Sequence, residues 1–271
     1  MPERDIHQNI SAELYSYYSD SKNYQALLQG KGPDYFADYV QLVGSYIKDK
    51  RSRVLDVGCG SALSTQLLRS AFPNTCGTDV SLLFLQLNKS DLNFVGDAHR
   101  LPVQDKTMDA VCSFEFIEHV NNAEQVLSEM IRITKSGGLV IIMSPNLFSP
   151  LIPLRSLMQY CRGKKEPSPW TPTFWSIFPL LVKNCYMIIK KKLQKQAHFE
   201  YRRPDLSDNA DLGGDFDSVY LSNPVDISKF LKSKNLRILN ISVGRSRVGR
   251  FLSRFMPSFA SGMAIVAQKE A

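Results

Sequence analysis

The sequence predicts an α/β fold, in which a doubly wound sheet of seven mostly parallel strands carries helices on both faces. Short apolar segments alternate with amphipathic helical segments along most of the chain. Several apolar segments, such as residues 139–143 (L-V-I-I-M), lack a polar face, which is typical of strands covered on both sides. The first expected strand, V-L-D-V, is followed by a glycine-rich turn, G-C-G.

The predicted elements follow one another in a regular order. Strands are expected at residues 54–57, 75–80, 93–97, 109–114, 139–143, 236–243 and 263–268. We expect the fourth strand to continue into residues 115–120 and the sequence K-S-G-G at 135–138 to end a helix that spans 123–133. The sequence predicts four parts: N-terminal helices (1–50), a core (51–146), an insert (147–223) and a closing helix with two strands (224–271).

The N-terminal segment, residues 5–47, has helical spacing of aromatic and aliphatic residues, and G-K-G-P at 30–33 divides it into two helices. These helices either close over a pocket or pack against the edge of the sheet.

Composition excludes a disordered chain, because 44% of the 271 residues are hydrophobic and 22% are charged. The five cysteines are dispersed and form no C-x-x-C pair, which argues against a disulfide framework or a zinc site. The first eight residues, M-P-E-R-D-I-H-Q, lack the apolar run of a signal peptide. These features predict a cytoplasmic protein.

The turn after the first strand carries Asp56, Gly58, Cys59 and Gly60 in the order D-V-G-C-G. Its glycines allow close approach of a ligand to the backbone, and the helix that follows offers free N–H groups. Leu63 holds the place of the third glycine of a dinucleotide-binding motif. The turn resembles the first motif of class I S-adenosylmethionine-dependent methyltransferases, although a turn that merely joins a strand to a helix has the same pattern.

Two further strand ends carry acids. Asp79, followed by Val80, lies at the spacing where such folds bind ribose hydroxyls, although it could instead be a helix-start acid. The stretch V-G-D-A-H-R-L-P-V-Q-D-K-T-M-D-A-V-C-S, which begins at Val95, resembles small-molecule and quinone-pathway methyltransferases of that superfamily.

The resemblance covers residues 50–146 and implies a Rossmann-like fold with S-adenosyl-L-methionine as cofactor. It implies that Asp56 helps to hold the amino group of the cofactor and that Asp97 binds the adenine amino group, with the backbone of Ala98 at a ring nitrogen. Gly58, Asp79, Asp97, Phe114 and Ser144 are all expected at the carboxyl ends of strands, where such sheets bind ligands. We expect no metal ion.

Methyl transfer to a hydroxyl group needs a base, and His119 is the first candidate because a neutral imidazole accepts a proton near pH 7. Glu115 and Glu118 are further candidates. A histidine at the start of a helix with a purely structural hydrogen bond is the alternative for His119.

Most of the positive charge lies in the insert. Residues 151–203 contain eleven Lys or Arg against two Glu, a charge of +9, while the whole chain carries +7. Residues 164–195 combine both tryptophans with aliphatic residues and a lysine cluster, and residues 245–256 repeat the basic and apolar pattern. This composition predicts a peripheral contact with a membrane surface, or a substrate lid whose apolar side packs on the core.

The acidic stretch at 208–217 is predicted as a solvated loop. The alternative is that Asp215 or Asp217 returns over the pocket and binds substrate hydroxyls.

The sequence therefore predicts a methyltransferase that acts on a small-molecule, lipid-like or lipid-linked sugar acceptor. An RNA methyltransferase, a nicotinamide oxidoreductase and a non-catalytic membrane protein with a cofactor fold are the alternatives. Nucleic acid is not the expected partner, since the fourth strand ends in S-F-E rather than in the group that grips a flipped base. The oligomeric state does not follow from the sequence.

Overall fold

The structure is a computed structural model that describes residues 12–19, 22–163, 174–206, 217–241 and 255–270. The described residues form one seven-stranded sheet in the order β3-β2-β1-β4-β5-β7-β6. The strands are β1 (Val54–Val57), β2 (Thr75–Asp79), β3 (Phe94–Val95), β4 (Met108–Phe114), β5 (Thr134–Pro145), β6 (Leu236–Asn240) and β7 (Gly262–Lys269). Strands β1 to β5 pair in parallel, whereas β7 is antiparallel to both β5 and β6. The predicted fold class is confirmed.

Helices cover both faces of the sheet. They are α1 (12–19), α2 (Lys22–Gln29), α3 (Pro33–Tyr46), α4 (Leu63–Ala71), α5 (Leu82–Leu85), α6 (Ala123–Ile133), α7 (Leu151–Cys161), α8 (Ile177–Leu193) and α9 (Pro224–Ser233). One buried cluster lies under α6 and α9, and a second lies under α3 and α4. Strands β1 and β4 contribute to both clusters because their buried side chains alternate between the two faces.

The N-terminal segment differs in one respect from the prediction of two helices. The division at Gly30–Pro33 is present, and α3 begins at Pro33, whose fixed φ suits the first helical position. Before that division, however, the described residues form two helical stretches, α1 and α2.

Two predicted boundaries around the fourth and fifth strands are wrong. Strand β4 ends at Phe114, because Glu115 adopts a left-handed backbone with φ +47°, and Ile117–His119 form one turn of 3-10 helix. Helix α6 ends at Ile133, and β5 begins at once with Thr134 rather than after K-S-G-G. The register between β4 and β5 is irregular there, so residues 135–138 form a bulge that Gly137 accommodates with φ +78°.

Within the insert, the described residues form α7, α8 and a single bridge between Tyr201 and Tyr220. Strand β6 ends at Asn240, earlier than predicted. Residues 164–173, and of the predicted patch at 245–256 all but the last two, lie outside the described residues. The division of the chain at residues 50, 146 and 223 stays a prediction.

Candidate functional site

A cavity of about 330 Å³ opens at the carboxyl ends of β1, β2 and β4, within the volume range of small-molecule sites. Gly58, Asp79 and Phe114 line it from three strand ends, and Asp97 lines it beyond β3. Aromatic residues of the N-terminal helices cover the opposite side, so these helices do close over the pocket. The cavity lining includes Tyr18, Tyr24, Tyr35 and Phe36.

The glycine turn forms the floor of the cavity. Gly58 and Gly60 have φ of +68° and +53°, a region that side chains other than glycine rarely adopt. The amides of Gly58 and Cys59 donate to the carbonyl of Thr78 at 2.8 and 3.1 Å, which ties the turn to the end of β2. A Cβ atom on Gly58 would lie 2.0 Å from the ring of Phe116, so this glycine leaves room for an aromatic wall.

Asp56 is not among the residues that line the cavity, and its expected part in holding the amino group of the cofactor stays a prediction. Its carboxylate is buried behind the glycine turn and accepts hydrogen bonds from Tyr39 Oη at 2.7 Å, Ser64 Oγ at 2.7 Å and Thr65 Oγ1 at 2.8 Å. Burial raises its pKa, although these three hydrogen bonds act in the opposite direction. Asp56 therefore joins α3 and α4 to the turn and positions the glycines.

Asp79 lines the cavity, and two backbone amides fix the position of its carboxylate. Its Oδ2 accepts from the amide of Gly60 at 2.8 Å, and its Oδ1 accepts from the amide of Ser81 at 2.9 Å. Burial raises the pKa of Asp79 against the effect of these hydrogen bonds. Each carboxylate oxygen keeps a further lone pair, so the group can accept from two hydroxyls of a diol. Val80, the next residue, also lines the cavity.

Asp97 and Ala98 line the outer end of the cavity, where the side chain of Asp97 is 62% exposed. Asp97 Oδ1 accepts from the amide of His99 at 2.9 Å and lies 2.7 Å from its Nδ1. The hydrogen bond from the His99 side chain lowers the pKa of Asp97. The ionised carboxylate of Asp97 beside the small, buried Ala98 is suited to bind a flat polar ring such as adenine. The adenine contact of Asp97 stays a prediction.

Two polar atoms of the cavity wall fit a bound polar ligand. Thr78 Oγ1 and His99 Nε2 are buried and have no hydrogen-bond partner among the described residues. Both residues line the cavity. Buried polar groups are almost always paired, so these atoms indicate partners supplied by a ligand or by water. Sequence reasoning missed both residues; the position of His99 directly after the acid and the alanine was the available signal.

The second end of the cavity brings together groups that are far apart in the chain. His119 Nδ1 lies 3.3 Å from Asp217 Oδ2, and its Nε2 lies 3.7 Å from Glu118 Oε1. Tyr18 of α1 donates to Asp217 Oδ2 at 2.9 Å, and burial next to Asp217 raises the pKa of Tyr18 well above its usual range. The imidazole therefore lies between two carboxylates at the cavity wall, although neither His119 Nδ1 nor Glu118 Oε1 forms a hydrogen bond among the described residues.

Asp217 does not lie in a solvated loop, so this part of the prediction is wrong. The residue is buried and lines the cavity, as the alternative required. Asp215 lies outside the described residues. Glu118 is also buried; its Oε2 accepts from Ser144 Oγ at 2.9 Å, and its backbone carbonyl receives the amides of residues 219 and 220. The hydrogen bonds from residues 219 and 220 hold the end of the insert next to the site.

Glu115 lines the cavity next to Phe114. Its φ of +47° is unusual for a residue with a side chain, and its amide donates to the carbonyl of Met143 at 2.8 Å. A left-handed residue at the end of a central strand costs about 1–3 kcal/mol and is most common at functional sites. The left-handed backbone at Glu115 turns the chain at the end of β4, and the ring of Phe116 then packs against Gly58.

Among the described residues, no group of three or more His, Cys, Asp or Glu side chains could hold a metal ion. No helix in this part of the chain is long and apolar enough to cross a membrane.

Comparison with known proteins agrees with this geometry. Residues 55–142 match the model of a family described as a methyltransferase domain, which confirms the resemblance of the motifs. Demethylmenaquinone methyltransferase from Renibacterium salmoninarum is 36% identical over 94 residues, which are 33% of this chain and 40% of that protein. Ubiquinone biosynthesis O-methyltransferase from Rickettsia typhi is 28% identical over 120 residues, which are 42% of this chain and 48% of that protein.

The chain thus matches less than half the length of either relative. Among solved structures, an S-adenosylmethionine-dependent methyltransferase from Mesorhizobium loti has a TM-score of 0.53 at 12% identity. The match covers 88% of this chain and 100% of that one, and it supports the fold. The expected cofactor, S-adenosylmethionine, agrees with the matched domain and with the residues that line the cavity.

Proposed function

We propose that this chain, whose residues 55–142 match a methyltransferase domain, transfers a methyl group from S-adenosylmethionine to an apolar small molecule. The single observation that carries the proposal is the cavity in which Gly58, Asp79, Asp97 and Phe114 meet from separate strand ends. These four residues are spread over almost sixty positions of the sequence. They meet because parallel strands bring their carboxyl ends to one edge of the sheet.

The cofactor side of the cavity is formed by β1, β2 and β3. Asp79 would bind ribose hydroxyls, and the backbone of the glycine turn would lie against the amino acid part. Asp97 with Ala98 would bind the adenine. When bound, S-adenosylmethionine supplies an electrophilic methyl group on a positively charged sulfur. The aromatic cover from α1 to α3 would exclude water from that group. Holding the acceptor in line with the methyl group would add the effect of orientation, which is worth roughly 7–11 kcal/mol in favourable cases.

The acceptor side contains His119, which would remove the proton from an acceptor hydroxyl. Asp217 lies 3.3 Å from the Nδ1 atom and would stabilise the imidazolium that forms. Glu115 is the second candidate base because it also lines the cavity. This arrangement supports an oxygen acceptor.

The acceptor is proposed to be lipid-like or a lipid-linked sugar, since aromatic side chains form most of the cavity cover. Curated relatives are named for demethylmenaquinone and for ubiquinone biosynthesis, which supports a quinone-like molecule. Such molecules reside in bilayers, so we place the enzyme at a membrane surface. Its five cysteines are all free, which favours the cytoplasmic face.

The experiment is transfer of labelled methyl groups from S-adenosylmethionine to hydroquinones that carry zero to four isoprene units. We expect transfer that increases with side-chain length, and His119→Gln should lower turnover by about 10²–10⁴ without changing cofactor affinity. His198→Gln is the matched control, because this histidine is exposed and lies outside the cavity lining. Normal turnover of His119→Gln would refute its role, and cofactor binding without transfer to any hydroquinone would refute a quinone-like acceptor.

A further inference from the structure

Helix α8 has two apolar faces, of which only one packs on the protein. The inward face buries Ile177, Met187 and Ile188. On the opposite side lie Phe178, Val182, Tyr186, Ile189 and Leu193, which are 72%, 52%, 61%, 54% and 80% exposed. At about 100° per residue, these five positions fall within an arc of about 80°. They form a continuous exposed stripe, called the α8 stripe below.

Basic residues flank the α8 stripe on both sides. Lys183 and Lys190 lie along one edge and Lys192 along the other, at about 100° per residue, and all three are exposed. The adjacent Lys191 instead points inward and donates to Asp226 Oδ2 at 2.7 Å. Residues 174–195 contain no acidic side chain. The surface is therefore apolar at its centre and positively charged at its rim.

The elements next to α8 also expose large apolar side chains. Trp175, which precedes α8, is 84% exposed. Helix α7 packs against α8 and adds the exposed side chains of Leu154 and Met158. Large apolar residues exposed side by side are rare on a protein that has no partner for them.

We propose that the α8 stripe lies in the surface of an anionic lipid bilayer, with α8 parallel to the membrane plane. An amphipathic helix with aromatic and aliphatic residues on one face and lysines beside them binds such interfaces. The lysine rim is complementary to anionic headgroups. The same rim disfavours pairing of the stripe with a second copy of the chain, because such pairing would bring the lysines of the two copies together. The inference deepens the proposed function by naming the partner surface. It rests on that function only for the reason why the enzyme binds a membrane, which is access to a lipid-like acceptor.

The first experiment is flotation of the full chain with vesicles of phosphatidylcholine and phosphatidylserine in a 70:30 ratio. We expect Phe178→Ser/Val182→Ser/Ile189→Ser to weaken binding by about 100-fold. The matched control, Leu82→Ser/Leu92→Ser/Leu239→Ser, removes three exposed apolar side chains elsewhere and should bind like the parent chain. Near-UV circular dichroism checks that both variants are folded.

The second experiment tests the charged rim. Lys183→Gln/Lys190→Gln should weaken binding to the anionic vesicles by about 30-fold and leave the small affinity for pure phosphatidylcholine unchanged. Lys50→Gln/Lys89→Gln is the control, since both lysines are exposed and distant from α8 in the chain. In a Trp170→Phe background, the emission of Trp175 should shift to the blue when vesicles are added.

Three results would overturn the proposal: a parent chain that does not float, equal flotation of the stripe and control variants, or a dimer in sedimentation that only the stripe variant dissociates. The last result would make the stripe an interface between copies. Calorimetric titration with S-adenosylmethionine separates this proposal from the enzymatic one. A stripe variant that binds the cofactor normally but does not float supports both, whereas a parent chain that floats without binding the cofactor refutes only the methyltransferase.

Discussion

Substitution of Gly58 by alanine tests how tightly the glycine turn is built. The new Cβ atom would lie 2.0 Å from Cδ2 and 2.3 Å from Cγ of Phe116, well inside contact distance. The backbone at Gly58 also has φ +68°, where a side chain clashes with its own backbone. Both effects act on the floor of the proposed cofactor site.

The expected cost is about 2–5 kcal/mol of unfolding free energy, from about 1–2 for the left-handed backbone and about 1–3 for displacement of the ring. Gly44 is the matched control. It lies within α3, where nothing is within 4 Å of an added Cβ, so Gly44→Ala should stabilise the protein by about 0.5–1 kcal/mol. The two substitutions are chemically identical and should have opposite signs.

Urea unfolding of both variants measures these free energies, and a double-mutant cycle with Phe116→Ala separates the two contributions. In the Phe116→Ala background, Gly58→Ala should cost only the backbone contribution, about 1–2 kcal/mol. The reasoning is refuted if Gly58→Ala stabilises the protein as Gly44→Ala does, or if its cost is the same with and without the Phe116 ring.

Three further predictions concern buried polar groups. Tyr39→Phe removes one of three hydrogen bonds to the buried carboxylate of Asp56 and should lower the unfolding free energy in urea by about 1.5–3 kcal/mol. Burial raises the pKa of Asp79, so its carboxylate takes up a proton above the usual aspartate range, and calorimetry should show cofactor affinity falling as pH drops through that raised pKa. Lys191→Met leaves the buried Asp226 without its cation and should cost about 3–5 kcal/mol in urea.

Each of these has a control that shares its chemistry. Tyr46→Phe changes a tyrosine of the same helix that is not fully buried and should be neutral. Asp79→Asn should bind the cofactor weakly at every pH, so a remaining acidic limb of the same size would assign the titration to another group. Lys192→Met, at an exposed position, should leave stability within about 0.5 kcal/mol.

Local signals in the sequence predicted most of the sheet. Strand β1 and helix α4 appear where V-L-D-V and the residues after the glycine turn placed them, because short buried strands and glycine turns depend on neighbouring residues. The bulge at 135–138 was missed, since K-S-G-G is equally typical of a helix end and only the pairing with β4 makes it part of a strand.

Contacts between segments that are far apart in the chain could not be predicted from the sequence. Tyr18 and Asp217 are 199 residues apart, and no local pattern indicates that both meet at His119. The hydrogen bond from Tyr39 to Asp56 was missed for the same reason, because Tyr39 belongs to a helix whose packing the spacing does not fix. By contrast, the spacing of Phe178, Val182 and Tyr186 by four residues was a visible signal for one helical face.

Calorimetric titration of S-adenosylmethionine into the full chain and into Asp79→Ala tests the central claim most directly. We predict one binding site in the parent chain and an affinity about 10–100-fold lower in Asp79→Ala, from the loss of charge-assisted hydrogen bonds. Leu82→Ala, an exposed position outside the cavity lining, should bind like the parent chain. Absence of binding to the parent chain, or equal affinity of the parent and Asp79→Ala, would contradict the assignment of the cavity to the methyl donor.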